Sequence, residues 1–110
     1  MNKTLEATEA QVQKAVLEYL WVRGIFCWRN NTGATRIGNS RRYVRFGFPG
    51  SSDILGVLPD GRFLAVEVKK NKGRLRKEQK YFLNRIRECG GVAFVARAVE
   101  DVQRKLKEVL

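Results

Sequence analysis

The chain has 110 residues, enough for one modest hydrophobic core and too few for two. Its 44% hydrophobic content excludes a disordered polymer, and Lys plus Arg outnumber Asp plus Glu by 22 to 11. The resulting net charge of +11 points to a polyanionic partner, although ribosomal proteins and simple DNA-coating proteins share that property.

Histidine is absent, which removes a Ser-His-Asp triad, an HExxH zinc site and any imidazole general base. Catalysis in this chain must run on carboxylates, lysine and metal, or there is none. Cys27 and Cys89 lack CxxC spacing and are expected as two unpaired thiols. The N-terminus MNKTLEATEAQ has no apolar signal-like run, and no segment approaches the length of a membrane span. The expectation is a single soluble, cytoplasmic domain over residues 1–110.

The first element is an amphipathic helix from about Thr4 or Thr8 to Gly24. Thr8 and Gln11 form a T-x-x-Q capping box. Val12, Ala15, Val16, Tyr19 and Leu20 define its buried stripe. At about 100° per residue, Glu9 falls about 20° from Val16 and Glu18 about 160° away. Glu9 therefore points inward and Glu18 to solvent. Glu9 is either a first-turn acid complementing the helix dipole or part of a site.

Ile25 to Arg29 reads as a short strand. The following stretch, NNTGATRIGNSRRYVRFGFPGSS, is rich in Asn, Gly and Ser and reads as a long loop with one short strand near Tyr43 to Phe46. Arg29, Asn30, Arg36, Arg41, Arg42 and Arg45 suit nucleic-acid contacts. Trp28, Tyr43, Phe46 and Phe48 are expected instead to cover the core edge.

A hairpin comes next, with strands Asp53 to Leu58 and Arg62 to Lys69 flanking Pro59-Asp60-Gly61. Pro, Asp and Gly in that order suit a three-residue loop, a type I turn closed by a left-handed glycine. Pairing Leu58 with Arg62 sets Asp53 directly opposite Glu67. Opposed carboxylates repel at about 5 Å between Cβ atoms, so they demand a cation or one must hold a proton. Strand alternation puts Lys69 on the face of Glu67 and turns Val66 and Val68 into the core.

The basic run KKNKGRLRKEQ then leads into a helix from about Leu75 to Cys89. Its stripe of Leu75, Gln79, Phe82, Leu83 and Ile86 places a glutamine on the inner face, where it needs partners that the acids can supply. Lys70, Lys72 and Arg74, next to those acids, are candidate DNA contacts. Gly90-Gly91 ends the helix. Val92 to Ala96 is a buried strand. Val99 to Leu110 is a final helix with Val102, Leu106 and Val109 inward. The fold class is α/β, a mixed central sheet flanked by helices in the order α-β-β-β-α-β-α, with a further short strand possible in the loop.

Asp53, a short spacer, then Glu67-Val68-Lys69 on the next strand resembles the PD-(D/E)xK nuclease signature, and the element order resembles that superfamily's restriction-endonuclease-like core. A closer resemblance is to the VRR-NUC family, whose stand-alone members are small phage and bacterial proteins. It rests on Glu9 with Val12-Gln13, Arg29-Asn30-Asn31-Thr32-Gly33, Gly50-Ser51-Ser52-Asp53, Glu67-Val68-Lys69, Gln79 and Gly90-Gly91. Ser52 departs from the proline that the family more often carries before the aspartate.

The resemblance implies roles. Asp53, Glu67 and the Val68 carbonyl would ligate Mg²⁺ or Mn²⁺, with Glu9 reaching the site directly or through water. Lys69 would orient a water or stabilise the transition state, and Gln79 would brace Lys69 or the water. It further implies a Holliday-junction-resolvase-like endonuclease acting on four-way DNA as a homodimer. A restriction-like or flap-type nuclease and a non-catalytic basic nucleic-acid-binding protein are the alternatives.

Overall fold

A computed structural model describes residues 7–39 and 41–110, without the side chains at 34, 35, 45 and 46. Three helices and six strands follow one another in the order α1 (Glu9–Val22), β1 (Phe26–Arg29), β2 (Gly33–Arg36), β3 (Tyr43–Phe46), β4 (Ile54–Val57), β5 (Phe63–Val68), α2 (Lys77–Glu88), β6 (Val92–Ala96) and α3 (Val99–Val109). Strands β1, β4, β5 and β6 form one mixed sheet in the spatial order β1-β4-β5-β6, and β2 and β3 form a separate two-stranded sheet.

The hairpin takes the register that its turn chemistry dictates. Ile54 lies opposite Val66 and Val57 opposite Phe63, so the next step outward aligns Asp53 with Glu67. Leu58 N–H donates to the Arg62 carbonyl and Gly61 N–H to the Leu58 carbonyl, both at 2.8 Å. Gly61 carries the positive φ, +93°, that closes a three-residue loop of this kind. The strands are slightly shorter than the apolar runs, because Asp53 and Lys69 already lie beyond the paired residues. Strand β6 pairs parallel to β5, and α2 supplies the crossover that a parallel pair requires.

Alternation along β5 sorts the molecule into layers. Leu64, Val66 and Val68 pack with Val16, Leu17 and Leu20 of α1 and Val102 and Leu106 of α3. Ala65 points the other way, toward Leu83 of α2, with Phe63 and Phe82 beside it. Glu67 shares the parity of Ala65 and so ends up on the α2 side of the sheet.

Helix α1 begins at the expected cap. Thr8 Oγ1 accepts from Gln11 N–H at 3.1 Å, and Gln11 Oε1 accepts from Thr8 N–H at 2.8 Å. The alternative start at Thr4 lies outside the described residues. The inward stripe is rotated from the expected one: Ala15 is exposed and Leu17 is buried. The rotation follows from packing, since α1 lies against both β5 and α3 and must fill the angle between them.

The stretch between β1 and β4 holds more structure than its composition suggests. Strand β2 was not expected there, because Gly33, Thr35 and Arg36 lack apolar alternation; it forms by pairing with β3, Gly33 opposite Phe46 and Arg36 opposite Tyr43.

Candidate active site

Asp53, Glu67, Lys69 and Gln79 come from three separate pieces of chain, with Glu9 of a fourth close enough to act on Glu67 electrostatically, and the sheet register is what makes the first two neighbours. Asp53 is half-buried just before β4, and its Oδ2 accepts the Val68 N–H at 2.8 Å. That bond holds the carboxylate across the end of β5. Glu67 is 2% exposed, one of three buried polar side chains among the described residues with Ser52 and Gln79.

A buried carboxylate needs partners, and Glu67 has only half of them. Gln79 Nε2 donates to Glu67 Oε1 at 3.1 Å. Glu67 Oε2 is buried and has no hydrogen-bond partner. Burial, followed by the charge and the close carboxyl of Asp53, pushes the Glu67 carboxyl up to about 8. Lys69 pulls it down, and Glu9 adds a smaller upward push. Opposed acids therefore take the second of their two options when no cation lies between them: one holds a proton.

Gln79 is fixed from both ends. Its Oε1 accepts the Arg76 N–H at 2.8 Å, capping the start of α2, while its amide nitrogen turns inward. The acids supply its partner, as its inward phase implies, and that partner is Glu67 rather than the Lys69 or water that the family resemblance implies. A glutamine suits this position because one side chain both caps the helix and donates to an acid, which neither Glu nor Leu can do.

Lys69 is half-buried at the end of β5, where its N–H extends the ladder to the Ala96 carbonyl at 3.1 Å. Glu9 is half-buried in the first turn of α1 and Glu18 is exposed, as their helical phases require. Among the described residues, no group of three or more Asp, Glu, Cys or His side chains is arranged to hold a metal ion. Glu9 is thus within electrostatic influence of Glu67 without completing a three-acid cluster.

The oxygens present nevertheless fit a hard divalent cation. Two carboxylates adjoin, one buried oxygen has no donor, and all the side-chain ligands on offer are oxygen.

The basic residues sort into two kinds. Arg29, Arg36, Arg41, Arg42, Lys70, Lys72 and Arg74 are exposed, as phosphate contacts must be. Arg36 lies over the Tyr43 ring, 5.7 Å from its centroid. The Arg45 side chain lies outside the described residues. Asn30 differs: its amide donates to Ser51 Oγ at 2.7 Å and to the Ser52 carbonyl at 3.0 Å, and its N–H donates to the Asp53 carbonyl at 2.8 Å. It braces the Asp53 segment. Arg97, which belongs to no motif, donates to the Lys70 carbonyl and so ties down the chain just after Lys69. Only tertiary structure reveals that contact, because 27 residues separate the two.

Of the aromatics expected at the core edge, Phe48 packs against Phe82, with 5.9 Å between ring centroids. Tyr43 stands away at 60% exposure, and Trp28 is 40% exposed on the edge strand. The Phe46 side chain lies outside the described residues. Cys27 and Cys89 are both free; burial pushes the Cys27 thiol up to about 11.

The family model for the VRR-NUC domain matches residues 7–100. Among curated proteins none matches the chain.

Proposed function

The chain belongs to the VRR-NUC domain family, and from that premise we propose a metal-dependent endonuclease that cuts branched DNA, four-way junctions foremost, as a homodimer. Family membership makes the protein a nuclease of the restriction-endonuclease-like kind, a hydrolase whose substrate is DNA. Among the described residues no helix is long and apolar enough to cross a membrane. The proposed place of action is the cytoplasm of a bacterial or phage-infected cell, with residues 1–110 working as one domain.

The observation that carries metal dependence is Glu67: buried beside Asp53, with one oxygen lacking any donor. A bare pair of this kind is costly beside a phosphodiester, and Mg²⁺ or Mn²⁺ would remove both repulsions together. Asp53, Glu67 and the Val68 carbonyl would hold the ion, with Glu9 in support through water. When bound, such an ion acidifies a water and offsets charge on the phosphate.

The protein's own groups do the rest. Asp53 is positioned by the Val68 N–H, and Gln79 fixes Glu67 Oε1, which leaves Oε2 as the oxygen that would serve an ion. Lys69, close enough to Glu67 to lower its carboxyl, would offset negative charge that builds up on the phosphate oxygens. Supporting a branched substrate, a 110-residue domain has little room to grip two helical arms alone, and a twofold pair of sites cuts two strands symmetrically.

Labelled four-way, flap and linear DNA, each incubated with Mn²⁺ or with chelator, tests this reading. Symmetric nicks near the junction that require Mn²⁺ are expected. Metal-dependent cutting of linear DNA at random would overturn the junction assignment, and intact but retarded DNA in every lane would overturn catalysis.

A further inference from the structure

Among the described residues, the hairpin β2–β3 is hydrogen-bonded to no other strand. It forms its own sheet, and none of its described residues joins either core cluster. A lone two-stranded hairpin is at best marginally stable in water. This one also leaves Ile37 50%, Tyr43 60% and Val44 45% exposed. Such an element is stabilised by whatever covers it.

Charge identifies the cover. Between Glu18 and Asp53 the chain carries six arginines and no acid. A twofold contact of this arm with its own copy would set arginine against arginine with no acid between them, whereas a polyanion is drawn to it.

Position narrows the choice further. Both legs of the arm are rooted at Asp53: Asn30 N–H bonds the Asp53 carbonyl, and its side chain bonds Ser51 and Ser52. Gly50, at φ +81°, seats the second leg on α2, where a Cβ would lie 2.5 Å from the Glu78 carbonyl oxygen. Whatever the arm grips therefore lies close to Asp53. Four-residue strands reach about 14 Å, or about four base pairs at 3.4 Å each. A two-stranded ribbon of this kind fits the major groove of B-form DNA and not the narrow major groove of an RNA helix.

We propose that β2–β3 is a DNA-gripping arm that enters the major groove of the duplex flanking the cut, with the tip arginines Arg41 and Arg42 on its phosphates. The proposal rests on the nuclease reading for the identity of the cut site, and it adds a requirement: double-stranded DNA must lie beside that site.

The test compares the wild type with R41A/R42A, and with a variant in which residues 34–45 are replaced by a short Gly-Ser turn. Affinity for a 20-base-pair DNA duplex, for its single strand and for the matching RNA duplex is measured in Ca²⁺ over a salt series. Thermal stabilisation by Mn²⁺ is recorded alongside. R41A/R42A should lose about tenfold or more on duplex DNA, with the salt slope reduced by about 2. Single-strand and RNA-duplex binding should change less than about twofold, and the Mn²⁺ stabilisation should persist. The Gly-Ser variant should lose more in the same direction. Unchanged duplex affinity, or an equal loss on all three nucleic acids, overturns the arm. Absence of Mn²⁺ stabilisation in the wild type overturns the metal reading instead, and leaves the duplex comparison standing as the test of the arm.

Discussion

Gln79 donates to one oxygen of Glu67 at 3.1 Å, and the other oxygen of that carboxylate is buried without a partner. This half-satisfied acid, next to Asp53, is the point where the fold's stability and its proposed chemistry pull against each other.

The first prediction concerns pH. The Glu67 carboxyl rises from 4.5 to about 8 on folding, so the native state keeps a proton that the unfolded chain releases in that window. Its stabilising contribution is complete below 4.5 and is lost as pH climbs through about 8. In chelator, the Glu67→Gln variant should gain stability over the wild type progressively across this range, as read by thermal unfolding at several pH values. A pH-independent difference between the two would refute the assignment.

Removing the amide should weaken the site without dismantling it. Gln79→Ala leaves Glu67 Oε1 and the Arg76 N–H unpartnered, at a cost of about 1–3 kcal/mol. Manganese affinity should fall about ten- to a hundredfold, because the ligand is no longer oriented. Titration calorimetry, combined with a denaturation curve, separates the two losses.

Ser52→Ala should do the reverse. The Ser52 hydroxyl is fully buried with no hydrogen-bond partner, so deleting it is expected to leave stability unchanged or raise it by about 1 kcal/mol. The midpoint of a urea transition reports the change, and a loss of stability would show that the hydroxyl has a partner of its own.

Gly50→Ala should be costly. Its φ of +81° disfavours any side chain, and the added Cβ would collide with the backbone of Glu78. About 2 kcal/mol or more should be lost. Since this glycine seats the arm on α2, protease cleavage between β3 and β4 should also quicken.

Much of this architecture was legible in the residues because it is governed locally. The Pro59-Asp60-Gly61 turn sets its own loop length, and loop length sets which residue opposes Glu67. Helical phase likewise separates Glu9 from Glu18 and turns Gln79 inward. What stayed hidden depends on distant partners. Leu17 is buried only because α3 packs beside α1, and β2 pairs only because β3 is present. The brace from Asn30 to Ser51 and the tie from Arg97 to Lys70 join pieces of chain 21 and 27 residues apart, with no motif to announce them. That Gln79 would face the acids follows from its helical phase, but that its Oε1 caps the start of α2 and so turns its amide nitrogen onto Glu67 Oε1 does not.

Lys69→Met tests the central claim most directly, since it removes the ammonium beside Asp53 and Glu67 while keeping most of the stem. Cleavage of labelled DNA in Mn²⁺ should fall at least about a hundredfold, with DNA affinity within about twofold of wild type. Cleavage at the wild-type rate by the Lys69→Met protein would contradict the account.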